Sequence, residues 1–398
     1  STEREADMEL NIIKEARDKF GSPLYIFDLD KLKERVMMIK ERVKSAQCCY
    51  AMKANPFLIK PMNEYVDKYE VCSPGEYEIC HRMGIDPKKI VVSGVNKTHE
   101  SMDRIMKLSG GKGIFTIESE EHYDILSKVC AEQQTDIKVI IRLSSGNQFG
   151  VDKDMFEHIA SEIADDKHLE LYGLHYYSGT QKKLSKVEKE LAMLDEYAGE
   201  LKDKYGFELK ELEYGPGLPV TYFESDKPVD EAGELDELAD LLDKIVNFRH
   251  ITIEMGRYIA TCCGYYITSV MDVKHTDGVN YAIVDGGIHQ LNYYGQSMGM
   301  KKPHMKLVSE NNSEPKPWNI CGSLCTVNDV ILRGIEFTDI SKGDFFVFES
   351  CGAYSVTECM ALFLSRELPQ IVFYSDNSGF TVARKPMGTD VINSQMEG

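Results

Sequence analysis

The 398-residue chain has no uninterrupted apolar run approaching the ~20 residues of a membrane-spanning helix, which excludes such a span. Its opening residues lack the basic-then-apolar order of a secretory signal. The 11 cysteines are odd in number and none are spaced Cys-x-x-Cys, so neither a disulfide framework nor a zinc site is indicated. Adjacent pairs such as Cys48-Cys49 and Cys262-Cys263 fit reduced thiols, and the expected location is the cytoplasm. Positive charge is also scarce: 46 Lys and Arg against 65 Asp and Glu leave a net charge of -19, which argues against a nucleic-acid partner. Any phosphate-bearing ligand must therefore be held locally, by backbone amides and a few placed cations. There is no low-complexity linker, and no cluster of His and Asp, so no metal is expected.

What the chain does contain is rhythm. Between residues 48 and 256 a short apolar or β-branched run, a polar turn and a helical stretch repeat. The runs fall at 48–54, 69–73, 90–94, 114–118, 137–143, 171–178, 212–215 and 251–256, with helix-period segments clearest at 101–108, 122–129, 155–163, 187–201 and 235–246. Eight such units in about 250 residues predict a parallel (β/α)8 TIM barrel over an open doubly wound sheet. After Gly264 the long helical stretches stop, and 265–274 and 280–284 flank Asp277-Gly278, a hairpin signal; 330–337 and 344–349 continue as strands. The expected division is a helix over 6–20 within an N-terminal segment 1–24 that associates with the β domain, a barrel over 25–263, and a C-terminal, mainly antiparallel β domain over 264–398.

A TIM barrel builds its active site at the C-terminal ends of its strands, so the residues that end each run carry the chemistry. The first ends in Tyr50-Ala51-Met52-Lys53-Ala54-Asn55-Pro56, which holds a primary amine at a strand mouth. Position alone does not separate Lys53 from a solvated surface charge; the other strand ends do. The fifth run carries Arg142, the sixth enters His175-Tyr176-Tyr177-Ser178-Gly179-Thr180, the seventh ends in Gly215-Pro216-Gly217 and the eighth in Glu254-Met255-Gly256-Arg257. Glycine-bearing turns followed by an arginine suit a phosphate, and a carboxylate suits a pyridine nitrogen. An amine for an aldehyde, a cradle for a phosphate and an acid for a ring nitrogen together describe pyridoxal 5'-phosphate, used as an electron sink for loss of carbon dioxide.

Segments 50–56, 70–76, 90–97, 115–121, 173–181, 213–218, 254–257, 284–287, 322–329 and 352–354 resemble, in order, the motifs of the fold-type III decarboxylases, the diaminopimelate and ornithine decarboxylase family. The resemblance implies a barrel plus β domain and a homodimer with shared active sites. It implies that Lys53 forms the Schiff base with the cofactor, that Glu254 partners the pyridine nitrogen, and that Gly215, Gly217, Gly256, Arg257 and Tyr354 hold the phosphate. Arg142, Tyr177 and Thr180 would also meet the cofactor. Cys325 would enter from the other subunit as proton donor, and Thr326, Asp329, His289 and Tyr293 would face the substrate.

Three departures concern that substrate. The family's acid after the cysteine is Thr326 here, and an uncharged hydroxyl cannot compensate a desolvated distal ammonium. The arginine and tyrosine that diaminopimelate enzymes carry after the Asp-Gly-Gly-like turn are missing from Ile288-His289-Gln290-Leu291-Asn292-Tyr293-Tyr294-Gly295-Gln296. The ring-stacking histidine is replaced by Tyr177. The expectation is a small-molecule or carrier-tethered amino-acid unit without a free distal ammonium, as in the branch acting on modified amino acids; the acidic surface argues against an acidic carrier unless Lys182-Lys183 or Lys301-Lys302 supplies a local basic patch. The alternatives are diaminopimelate itself, a racemase, which places an arginine where Glu254 stands, and a non-catalytic pyridoxal-binding regulator.

Overall fold

The computed structural model describes residues 3–293 and 299–396; Tyr294, Gly295 and Gln296 of the expected substrate segment lie outside the described residues. The chain opens with α1 (Glu3–Phe20), β1 (Leu24–Asp28) and α2 (Leu29–Arg42). Eight strands follow: β2 (Ala46–Ala51), β3 (Lys68–Val71), β4 (Ile90–Val92), β5 (Ile114–Ile117), β6 (Ile137–Arg142), β7 (Leu169–Tyr177), β8 (Glu211–Gly215) and β9 (His250–Met255). Between them lie α3 (Pro74–Arg82), α4 (His99–Ser109), α5 (Glu120–Gln133), α6 (Lys153–Asp165), α7 (Leu184–Tyr205) and α8 (Glu231–Leu242). The eight strands close into a parallel barrel, β2 pairing with both β3 and β9, as the eight-run rhythm predicts.

Local chemistry sets where these helices begin. Ser73, Thr98, Ser119 and Asp152 each accept a backbone amide of the first turn of α3, α4, α5 and α6, and Asp230 does so for α8. Helix α8 stops at Leu242, four residues short of the expected end, because Asp195 takes the amides of Val246 and Asn247 at 3.1 and 2.8 Å.

Two compact units emerge: Lys33–Val220 with Val229–Ile259, which contains the barrel, and Ser1–Leu32 with Thr221–Pro228 and Ala260–Gly398. The second unit is a nine-stranded sheet that adds β10 (Gly264–Thr276), β11 (Val279–Val284), β12 (Met305–Val308), β13 (Lys316–Cys321), β14 (Val330–Phe337), β15 (Phe345–Phe348), β16 (Gln370–Ser375) and β17 (Gly379–Arg384) to β1. Its pairings are antiparallel except β1–β16 and β11–β13. Asp277 and Gly278, at φ 52° and 79°, make the tight turn between β10 and β11. Segment 25–28, placed in the barrel by the expected division, belongs to this sheet instead: β1 is sandwiched between β10 and β16, and Leu24 and Ile26 bury against Ile13 and Ala16 of α1. A buried five-residue run beside a helix reads in sequence like a barrel strand, and only its long-range partners separate the two cases.

Candidate active site

Lys53 follows β2 directly, in a one-turn 3-10 helix over Met52–Ala54. The turn is rigid: buried Asn55 accepts the amide of Phe57 on its side-chain oxygen at 3.1 Å, and Tyr50 Oη donates to its carbonyl at 2.9 Å. Flanked by buried Met52 and Ala54, the Lys53 side chain keeps 42% exposure and points its amine into a cavity of about 260 Å3 at the C-terminal strand ends. Its Nζ lies 4.0 Å from Glu70 Oε1 and 5.7 Å from the centre of the Tyr177 ring. Arg142, Glu118 and Glu254 line the same cavity, with Arg142 Nη1 3.2 Å from Glu118 Oε1. A larger open hollow of about 900 Å3 at the opposite end of the barrel contains neither Lys53 nor Glu254.

Below the cavity the barrel axis is acidic. Glu254 Oε2 lies 2.9 Å from His175 Nε2, and both side chains are almost fully buried. Burial, then the nearby Arg142 charge, pushes the imidazole down to about 4, so it is neutral at pH 7. A neutral ring facing a carboxylate must carry its proton on Nε2, which makes His175 the donor and Glu254 the acceptor. Glu70 is raised to about 7 by burial and then by Glu254 beside it, and Cys72 Sγ donates to it at 2.9 Å. Burial also raises the Tyr177 phenol, which stays protonated.

Two glycine turns meet beside this group. A Cβ on Gly215 would fall 2.4 Å from the Tyr177 ring, so only glycine lets the ring lie against β8. Gly217, at φ +57°, would place a Cβ 2.2 Å from the Gly179 carbonyl. Lys182 ties the turns together, donating to Gly215 O at 2.9 Å and Ser178 Oγ at 3.1 Å while pairing with buried Glu190 at 2.8 Å. Lys182 therefore supplies no exposed basic patch: it is 5% exposed and neutralised internally. Lys302, in the other expected patch, pairs with Glu224 at 2.9 Å. Gly256 packs against Ala51 and Ala54, which brings the turn bearing Arg257 against the turn bearing Lys53.

The remaining expected residues belong to the β unit. Cys325 is exposed and Thr326 half-buried on the loop between β13 and β14. Asp329 is a loop clamp: its oxygens accept the amides of Ile288 and Leu324 at 2.9 Å each, and Gly287 and Gly322 pack so closely on it that a Cβ on either would clash. Tyr293, expected against substrate, is 2% exposed, packs on Tyr222 and Phe223, and spends its hydroxyl on Glu349 O and Cys351 Sγ. His289 is 1% exposed, and neither ring nitrogen has a hydrogen-bond partner among the described residues; burial holds it neutral, at about 4. Tyr354 adopts a left-handed backbone at φ 66°.

Glu70, Glu118 and Glu213 were not singled out from sequence. Glu70 and Glu213 carry the same signal as Glu254, an acid between apolar residues in a short strand: Tyr69-Glu70-Val71, Leu212-Glu213-Tyr214 and Ile253-Glu254-Met255. The sequence also did not suggest that Glu70, His175, Glu213 and Glu254 meet: their carboxyl oxygens and ring nitrogen lie within 4.8 Å of one another. The donor set nevertheless fits pyridoxal phosphate, with an amine and a carboxylate on one aromatic-walled cavity. A Cβ on Gly179, which lines that cavity, would have nothing within 4 Å, so the glycine turn leaves open space there.

Comparison with known proteins gives the same direction. A family model described as pyridoxal-dependent decarboxylase, pyridoxal binding domain, matches residues 29–261. Diaminopimelate decarboxylase of Aquifex aeolicus is 28% identical over 366 residues, covering 86% of this chain and 84% of its own. L-glutamyl-[BtrI acyl-carrier protein] decarboxylase of Niallia circulans is 23% identical over 409 residues and 95% of each chain. The crystal structure of Helicobacter pylori diaminopimelate decarboxylase complexed with L-lysine superposes with a TM-score of 0.84 at 22% identity, covering 96% of this chain and 98% of that one, which shows the shared fold.

Proposed function

The chain belongs to the pyridoxal-dependent decarboxylases, and from that premise we propose that its substrate is an α-amino acid unit whose distal end bears no free ammonium. The coarser activity, pyridoxal phosphate-dependent amino-acid decarboxylation of the diaminopimelate decarboxylase type, follows from the family and its relatives. When bound, the cofactor supplies the electron sink for the pair released as carbon dioxide leaves. Lys53 would hold the aldehyde end. Glu254, fixed by the His175 donor on one oxygen, would keep a proton at the pyridine nitrogen. The Tyr177 ring would stack on the cofactor, and the Gly179-Thr180, Gly215–Gly217 and Gly256-Arg257 turns would receive its phosphate. Arg142 holds Glu118 at the cavity wall. The Cys325 thiol of a second subunit returns a proton to the substrate's α-carbon, which makes the working enzyme a homodimer.

The observation that carries the substrate reading is the commitment of Asp329. The loop 323–329 contains that single acid, and both of its oxygens are taken by backbone amides. Thr326 stands where an acid would meet an ammonium. The Niallia circulans relative is named for a carrier-bound glutamyl substrate, which supports a modified or tethered unit. Resemblance to the Aquifex aeolicus enzyme supports the second reading, diaminopimelate of lysine biosynthesis. Carbon dioxide release separates them: free meso-diaminopimelate, lysine and ornithine should be poor substrates beside an α-amino acid acylated at its distal nitrogen, and efficient turnover of diaminopimelate would replace the first reading with the second. Lys53→Ala should remove the cofactor absorbance that borohydride fixes to the protein; its persistence at full strength would defeat the assignment of the lysine.

A further inference from the structure

Glu213 lies in β8, 1% exposed, and among the described residues neither of its carboxyl oxygens has a hydrogen-bond partner. It belongs to the group with Glu70, His175 and Glu254 whose carboxyl oxygens and ring nitrogen lie within 4.8 Å of one another. Those residues come from β3, β7, β8 and β9, strands on different sides of a closed barrel, so they meet in its interior. The charged and titratable groups facing Glu213 are Glu254 on β9, Glu70 and Lys68 on β3, His175 on β7, Cys49 on β2 and Glu211 on its own strand. Few of these can compensate a negative charge. Lys68 is engaged by Glu211, which it contacts closely, and by Thr252 at 3.1 Å. The Nε2 proton of His175 goes to Glu254, and Lys53 is nearest Glu70. Three carboxyls this close in a buried space cannot all be ionised, and the one with neither donor nor cation is the most expensive to charge.

We infer that Glu213 is a permanently protonated carboxylic acid, and that by staying neutral it leaves the charge of this cluster on Glu254, making Glu213 a positioning residue for the pyridine-nitrogen partner. Burial raises its pKa well above the usual carboxyl range, with Glu254 and then Glu70 adding to the effect. The protonation rests on the barrel interior alone. The consequence for Glu254 rests on the cofactor assignment above.

The first test uses cofactor-free protein at pH 8. The wild type should show the infrared carbonyl stretch of a protonated carboxyl, shifted by deuterium exchange and absent in Glu213→Gln; a wild type without that band overturns the inference. Glu213→Gln, an isostere of the neutral acid, should fold. Because the unfolded glutamate ionises above pH 4.5 while the folded one does not, wild-type stability should fall relative to the variant as pH rises. The gap in melting temperature should widen by roughly 2 °C per pH unit between pH 5 and 8. A variant destabilised at pH 8, or a wild type whose melting temperature drops on dialysis against EDTA, would mean that an ionised Glu213 holds a cation, and would also overturn it. Pyridoxal phosphate titration then tests the positioning: affinity should be retained in Glu213→Gln and lost in Glu254→Gln. Equal losses would place the working charge on Glu213. An inactive enzyme would leave the cofactor-free results standing.

Discussion

His175 is the one imidazole that touches Glu254, and its neutrality has a measurable consequence. The free side chain titrates at 6.5 and the folded one near 4, with burial the main cause. Between those values the unfolded chain takes up a proton that the folded site refuses, so stability is lost as pH falls from 6.5 toward 4 and is unaffected above. The loss amounts to up to about 3 kcal/mol for a single group. His175→Gln, which keeps a donor for Glu254, should flatten this acid limb in urea unfolding between pH 4.5 and 7; parallel curves for the two proteins would show that the imidazole is not held neutral. At this scale the sequence exposed residues with an unusual place in the chain, such as Lys53 at a strand mouth and Glu254 just before a glycine turn. It did not expose Glu70 or Glu213, because an acid inside an apolar strand signals burial without saying what it faces. Tyr293 and Asp329 shared their expected role through neighbouring motifs, yet their side chains are consumed by the loops that carry those motifs.

The turns after β7 and β8 illustrate how elements, rather than residues, shape the cofactor end of the cavity. Their glycines permit close approach, but the fixed geometry comes from Lys182, whose amine reaches Ser178, Glu190 and Gly215 while Tyr214 donates to Glu190 at 2.5 Å. Lys182→Met would leave the buried Glu190 carboxylate with two hydroxyl donors and the exposed Lys186 amine 3.9 Å away, and breaking such a buried pair costs about 3–5 kcal/mol. The expected result is a destabilised protein with weakened pyridoxal phosphate affinity, partly restored by adding Glu190→Gln; calorimetry and cofactor titration of the single and double variants check both effects. A double variant no better than the single one would show that the amine works through the carbonyl of Gly215 instead. The eight barrel strands were legible because each is a short apolar run bounded by a polar turn and a helix. In the β unit, β10, β11, β14 and β15 were legible by alternation and a turn signal, whereas β1, β12, β13, β16 and β17 were not. Strand β1 precedes a helix as a barrel strand would, β16 gains its place only from pairing with β1, some 340 residues earlier in the chain, and β17 from pairing with β16.

At the scale of the whole molecule, the proposed proton donor and the amine belong to separately compact units: Cys325 to the β unit, Lys53 to the barrel. The cysteine is exposed, and Val327 beside it is 89% exposed, an apolar side chain left in water at the tip of a loop whose base Asp329 holds rigid. A loop so fixed and so uncovered suits contact with another chain better than a solvent-facing role. If Cys325 serves a second subunit's cavity, Lys53→Ala and Cys325→Ala damage different halves of a shared site. Each variant alone should be nearly inactive; loss of a general acid typically costs about 10²- to 10⁴-fold. Co-expressed, the two should form mixed dimers in which one site pairs an intact Lys53 with an intact Cys325, so carbon dioxide release should return to a substantial fraction of the wild-type rate. The regained activity should purify with the dimer that carries both tags. If Cys325 acted within its own chain, every cavity in the mixed dimer would lack either the amine or the thiol, and no mixture would recover activity.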